Sequence, residues 1–168
     1  MVAVGFDRRQ VLAWLDEVKD PEVPVLSVVE LGVVRDATIA DDGHVTVTLT
    51  PTYSGCPAMR EIETGIRDTL WSHGVAAVTL KTVYSPAWTT DWMPESAKAK
   101  LEAYGIAPPG HAEHDEVLVP LRRAGATPRC PWCKSAKTEL RSQFGSTACK
   151  SLCWCNECGQ PFEMFKAI

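Results

Sequence analysis

The sequence predicts an α+β protein: a small domain of mixed helices and strands, followed by a compact module held by cysteines. Three observations carry the prediction. Two Cys-x-x-Cys pairs, Cys130-Pro131-Trp132-Cys133 and Cys155-Asn156-Glu157-Cys158, stand in the last quarter, separated by a hairpin-length insert. Upstream, period-2 alternation is interleaved with helical periodicity. Between the two regions, Gly105-Ile106-Ala107-Pro108-Pro109-Gly110 interrupts both patterns. Residues 1–105 are therefore expected as the first domain, 106–128 as a linker and 129–168 as the module.

The elements follow in order. From Asp7 to Val18, apolar Val11, Trp14, Leu15 and Val18 recur at helical spacing, with Asp7 as N-cap. Asp20-Pro21-Glu22-Val23-Pro24 stops that helix, because a residue before proline is driven out of the α region. A strand at Val33 and Val34 and another at Val45, Val47 and Leu49 flank the turn Asp41-Asp42-Gly43, giving a hairpin. Met59, Ile62, Ile66 and Leu70 mark a second helix, closed at Gly74. Val78 and Leu80 alternate with Thr79 and Lys81 in a third strand, and Asp91 to Tyr104 reads as a third helix with Pro94 in its first turn. The first domain is thus helix, hairpin, helix, strand, helix around a mixed three-stranded sheet.

Two thiolates two residues apart grip one ion from a single turn, and two such turns give the four sulfurs of a tetrahedral zinc site. Pro131 stiffens the first turn and Gly159 permits a bend after the second. Leu140, Ser142 and Phe144 alternate with Glu139, Arg141 and Gln143 as a strand between the pairs. The module reads as a zinc ribbon with Cys130, Cys133, Cys155 and Cys158 as ligands. An iron–sulfur centre and disulfides are the competing readings. Disulfides are disfavoured because Met1-Val2-Ala3-Val4-Gly5-Phe6-Asp7 lacks the basic and apolar regions of a signal peptide, so a reducing, cytoplasmic location is expected. Cys153 reads either as a substitute for Cys155 in a Cys-x₄-Cys knuckle or as a small hydrophobe in a strand.

Composition narrows the function classes. The chain has 168 residues, 45% hydrophobic and 23% charged, with net charge −4. A generic nucleic-acid binder would carry a basic surplus instead. No apolar run approaches the roughly 18 residues of a membrane span. Hydrolase triads, phosphate-binding loops, dinucleotide fingerprints and paired Glu-x-x-His motifs are all missing, so oxygenase chemistry would have to belong to partners.

The loop Thr50-Pro51-Thr52-Tyr53-Ser54-Gly55-Cys56-Pro57 lies between a strand and a helix. It places Cys56 at or beside an N-cap, with Pro57 as the first helical residue, where the helix dipole favours thiolate. That thiolate would serve as a nucleophile or a metal ligand, and a buried apolar cysteine is the alternative. Asp20 and Glu22 are either metal ligands near Cys56 or helix-ending turn residues. His111 and His114, beside Glu113 and Asp115, read as a solvated loop. Trp88 and Trp92 read as core packing, with a partner anchor as the alternative.

Asp20-Pro21-Glu22-Val23-Pro24-Val25-Leu26-Ser27-Val28-Val29-Glu30-Leu31-Gly32, followed by the Cys56 loop, resembles the SufT-like family of iron–sulfur assembly factors. Ser85-Pro86-Ala87-Trp88-Thr89-Thr90-Asp91-Trp92, the Gly-Ile-Ala-Pro-Pro segment and Phe144-Gly145-Ser146-Thr147-Ala148-Cys149-Lys150 resemble one branch of it, the PaaD proteins associated with phenylacetyl-CoA epoxidase. The resemblance covers nearly the whole chain. It implies a non-catalytic cytoplasmic protein of phenylacetate degradation that helps mature the di-iron oxygenase or iron–sulfur reductase component, in contact with both and with the iron–sulfur assembly machinery. A homodimer is compatible with it. It implies Cys56 as the contact to iron or a transient iron–sulfur cluster, with Cys149 joining it, and the four ribbon cysteines as zinc ligands. Cys153 has no counterpart in the pattern.

Overall fold

A computed structural model describes residues 5–110 and 127–168. They form two compact units, Met1–Trp88 and Thr89–Ile168.

In the first unit, α1 (Arg8–Leu15) opens on a reciprocal cap. The Asp7 carboxylate accepts the Gln10 N–H and the Gln10 side-chain carbonyl accepts the Asp7 N–H, both at 2.8 Å. β1 (Val34–Ile39) pairs antiparallel with β2 (Val45–Leu49), and β2 pairs in parallel with β3 (Val78–Thr82). The order β1-β2-β3 is the mixed sheet the alternation predicts. Val45, Val47 and Leu49 are fully buried, and Thr46 and Thr48 are half-buried on the opposite face. Parallel strands need a crossover, and α2 (Met59–Ser72) supplies it. Its buried stripe of Ile62, Ile66 and Leu70 contributes about 2 kcal/mol per side chain. Trp88 is core, as its sequence reading favours: it is 3% exposed, and its indole N–H donates to the Leu31 carbonyl at 2.9 Å.

The second unit opens with a single 3₁₀ turn, Thr90–Trp92, followed by α3 (Glu95–Tyr104). Then come β4 (Ile106–Ala107), β5 (Thr138–Ser142), β6 (Lys150–Cys155) and β7 (Pro161–Phe165) in a four-stranded sheet of order β4-β7-β6-β5. The Thr90 N–H and the Thr89 hydroxyl both donate to the Ile168 carbonyl, at 3.0 and 2.6 Å, tying the two ends of the unit together.

Three local expectations differ from this architecture. Residues 95–107, placed by sequence in the first domain and its linker, pack with the ribbon: β4 runs parallel to β7, and Ala107 is buried against Cys130, Cys153, Cys155 and Phe162. A bare ribbon is too small to bury a core, and α3 with β4 completes it. The alternation through Phe144 is broken by an irregularity between Leu140 and Ser142, so Phe144 lies beyond β5 and is 69% exposed. The third helix begins at Glu95 with Pro94 as its N-cap, because proline cannot continue a preceding turn. His111, His114 and most of the expected linker lie outside the described residues.

Candidate functional site

The two knuckles are built alike. In the first, the Lys134 N–H donates to the Cys130 carbonyl at 2.9 Å and the Cys130 N–H to the Ser135 carbonyl at 2.9 Å. In the second, the Gly159 N–H donates to the Cys155 carbonyl at 2.9 Å and the Cys155 N–H to the Gln160 carbonyl at 3.0 Å. Each turn then needs a left-handed residue after its second cysteine, and Lys134 (φ 63°) and Gly159 (φ 68°) fill those places.

These turns bring together the Sγ atoms of Cys130, Cys133, Cys155 and Cys158, all within 4.8 Å of one another. Cys130 and Cys158 are 3.8 Å apart, and Cys133 and Cys155 are 3.5 Å apart. An S–S bond is about 2.05 Å long, so these are not disulfides. A tetrahedron with Zn–S of about 2.3 Å has edges of about 3.8 Å, which the spacing matches. The residues present fit a four-sulfur metal site.

Electrostatics within the quartet are uneven. The Cys158 backbone N–H, assisted by that of Glu157, outweighs burial and pulls the Cys155 thiol down to about 7. Burial and its sulfur neighbours push Cys158 up to about 12. At the rim, Lys137 pairs with Glu157 at 2.6 Å.

Cys153 stands apart from the quartet. It is fully buried in the cluster with Ala107 and Phe162, and burial pushes its thiol up. Cys149, 5% exposed, has its Sγ 3.0 Å from the Thr147 hydroxyl. Its loop wraps around a carboxylate: the Ser146 N–H donates to Glu163 Oε1 at 2.5 Å, and the Lys150 ammonium lies 3.0 Å from Glu163 Oε2. Burial would raise the Glu163 pKa, but these donors outweigh it and hold the carboxyl below its usual value. Cys56 and Cys149 belong to different units.

Cys56 lies ahead of the helix rather than on it. α2 starts at Met59 with Ala58 as N-cap, so Cys56 and Pro57 both precede the helix. The loop takes an extra turn first: the Cys56 N–H donates to the Tyr53 carbonyl at 3.3 Å, and the Cys56 carbonyl accepts the Met59 N–H at 3.3 Å. Gly55, at φ 83°, makes that turn possible. The thiol is half-buried and lines an open recess of about 120 Å³ with Pro51, Met59, Glu63, Thr82 and Tyr84.

Neither Asp20 nor Glu22 lines that recess. Asp20 is 5% exposed, and its Oδ1 accepts the Glu22 and Val23 N–H groups, each at 2.8 Å, which is the turn role weighed for it. The carboxylate that lines the recess is Glu63, a residue the motif reading passed over. Its signal was helical spacing, since Glu63 follows Met59 by one turn of α2.

Comparison with known proteins matches two parts of the chain separately. A family model described as iron–sulfur cluster assembly protein matches residues 8–83, and one described as PaaD zinc beta ribbon domain matches residues 115–166. A protein of Escherichia coli K12, provisionally named as the D component of 1,2-phenylacetyl-CoA epoxidase, is 43% identical over 95% of this chain and 92% of its own length. An Fe–S protein maturation auxiliary factor of Porphyromonas gingivalis is 37% identical over 54% of this chain and 87% of its own. Among solved structures, a DUF59 domain from Bacillus anthracis is 29% identical and covers 56% of this chain and 90% of its own, with TM-score 0.53. A conserved hypothetical protein of Thermotoga maritima is 30% identical over 60% of this chain and 98% of its own, with TM-score 0.51. The chain therefore belongs to the PaaD family, in which an iron–sulfur cluster assembly domain is followed by a zinc β-ribbon.

Proposed function

We infer that this protein is a non-catalytic, cytoplasmic accessory subunit of a phenylacetyl-CoA epoxidase system. It assists maturation of the iron centres in the oxygenase or reductase component and takes its cargo from the iron–sulfur assembly machinery. The observation that carries this reading is the half-buried Cys56 thiol in an open recess, on a domain matched by the iron–sulfur assembly family. A thiolate in such a recess accepts a metal from a donor and surrenders it to a client by ligand exchange.

The ribbon quartet holds zinc in this reading, and a bound zinc would cross-link the two knuckles. Four thiolates fill a tetrahedral shell and leave no open position, so the site is structural. Among the described residues, no helix is long and apolar enough to cross a membrane. Exposed Trp132 (55%) and Phe144 (69%) on the ribbon unit favour a second role, in which the ribbon docks epoxidase components.

The test is genetic and biochemical. Cells lacking the protein are expected to make epoxidase components in normal amounts with under-filled metal centres. Epoxidase supplied with its metals should work without the protein. A fully metallated epoxidase that still needs the chain stoichiometrically would establish the docking role alone.

A further inference from the structure

The Cys56 recess has a second donor, and its position in the fold shows what kind of cargo suits it. β2 and β3 run parallel, in register from Val45↔Val78 to Leu49↔Thr82, so both deliver their carboxyl ends to the same edge of the sheet. Ligands in α/β folds collect at the carboxyl ends of parallel strands, where the crossover loops converge. The recess lies there: Pro51 and Cys56 follow β2, Thr82 ends β3, and Tyr84 comes just after it. From α2, Met59 and Glu63 project side by side at i and i+4.

Size and donor chemistry restrict the occupant. At about 120 Å³, the recess falls well short of the roughly 300–1,000 Å³ of sites that enclose small organic molecules. Cys56 is the one cysteine lining it, whereas an iron–sulfur cluster draws on about four thiolates. One thiolate and one carboxylate together carry two negative charges, matched to a divalent cation. Soft sulfur beside hard oxygen suits a borderline ion such as iron(II).

Resting on the reading that the first unit handles iron, we propose that this recess takes a single iron(II) ion through the Cys56 thiolate and the Glu63 carboxylate. The ion's remaining coordination positions stay open to the donor or the client. Binding is a ligand exchange without change of oxidation state: the ion sheds water ligands, and the Cys56 thiol releases one proton to solvent.

Zinc-loaded full-length protein is titrated anaerobically with iron(II) alone. Uptake is read by equilibrium dialysis and by thiolate-to-iron charge-transfer absorption. The wild type should bind about one iron(II) per chain beyond the ribbon zinc, and Cys56→Ser should abolish the absorption band. Glu63→Gln should weaken binding roughly tenfold or more, and Glu63→Asp should recover part of it. Circular dichroism and zinc content should be unchanged in every variant. Wild-type affinity in Glu63→Gln overturns this inference while leaving Cys56 as the iron contact. Uptake that requires added sulfide overturns the single-ion form. If the wild type takes up no iron with or without sulfide, the inference falls together with the functional reading beneath it.

Discussion

The Trp132 ring of the first knuckle occupies the space that a side chain on Gly105 would need. A Cβ built there would lie 2.2 Å from Trp132 Cη2. Gly105 is also the C-cap of α3, at φ 92°. One glycine therefore ends the helix, turns the chain into β4 and seats the knuckle. Gly105→Ala combines left-handed strain with a clash against a large ring and should cost about 2–4 kcal/mol. Thermal melting of the zinc-loaded protein measures this. Adding Trp132→Ala should restore the clash portion and leave the backbone portion.

Lys134 and Gly159 hold equivalent left-handed positions, yet only one is glycine. Lys134→Gly should stabilise the zinc-loaded second unit by about 1 kcal/mol, since relief of the left-handed strain exceeds the loss of an exposed ion pair to Glu102. Gly159→Ala should destabilise by a similar amount. Open space surrounds Gly159, so its backbone angle alone sets the cost. Chelator-challenge midpoints would rank the three proteins, and a Lys134→Gly variant less stable than wild type would contradict the order.

Metal content should be about one zinc per chain, lost on replacement of any of Cys130, Cys133, Cys155 or Cys158 by Ser. Zinc requires thiolates, so falling pH adds competing protons and should release the ion. The first unit shares no ligand with the quartet and should keep its circular dichroism signal in each Ser variant. A fragment of residues 89–168 should fold with zinc, whereas one of residues 129–168 lacks β4 and α3 and should remain molten. Stoichiometric iron in place of zinc, in protein purified under air, would rule out the assignment.

Alkylation of the zinc-loaded protein should label Cys56 first. Cys149 and Cys153 are 5% and 0% exposed, and the remaining four sulfurs are engaged by the ion. Mass-spectrometric mapping after a short pulse reads the order directly. Fast labelling that persists in Cys56→Ala would show another thiol to be the accessible one.

Glu163 makes the second unit sensitive to acid. Its carboxyl is held below the ordinary value of 4.5, so its contribution is fully present above that pH. It is lost as pH falls through the lower folded value. Lys150, only 5% exposed at its side chain, would then lose the charge of Glu163. Glu163→Gln should cost about 2–4 kcal/mol at neutral pH, discounted for the partial exposure of Glu163, and should flatten the acid limb of stability. Urea midpoints at several pH values check both effects.

The local parts of this molecule were legible in the residues. Asp7 announces a cap, Val45, Val47 and Leu49 announce a half-buried strand, and the paired Cys-x-x-Cys turns announce their own spacing, because each signal depends on neighbours within one turn. The quartet was readable for the same reason: each knuckle positions its two sulfurs locally.

Where turn hydrogen bonds or chain crossings decided the outcome, the reading drifted, because neither leaves a periodic signal in the residues. Cys56 looked like an N-cap residue, but the Tyr53 and Met59 hydrogen bonds add a turn before the helix begins. Asp20 read as a turn residue before a metal ligand, and its Oδ1 accepts two turn amides. Glu63 carried no motif at all. Its place in the recess exists because β2 and β3 run parallel and α2 crosses between them.

By itself, the sequence determined the α+β class, the mixed sheet and the sulfur quartet, since periodicity and short-range spacing are written residue by residue. Tertiary structure decided that α3 and β4 belong with the ribbon, that Cys153 serves as core and that Glu63 faces the recess. Those outcomes depend on which apolar surface each segment must bury, and burial is a property of the assembled chain rather than of any segment alone.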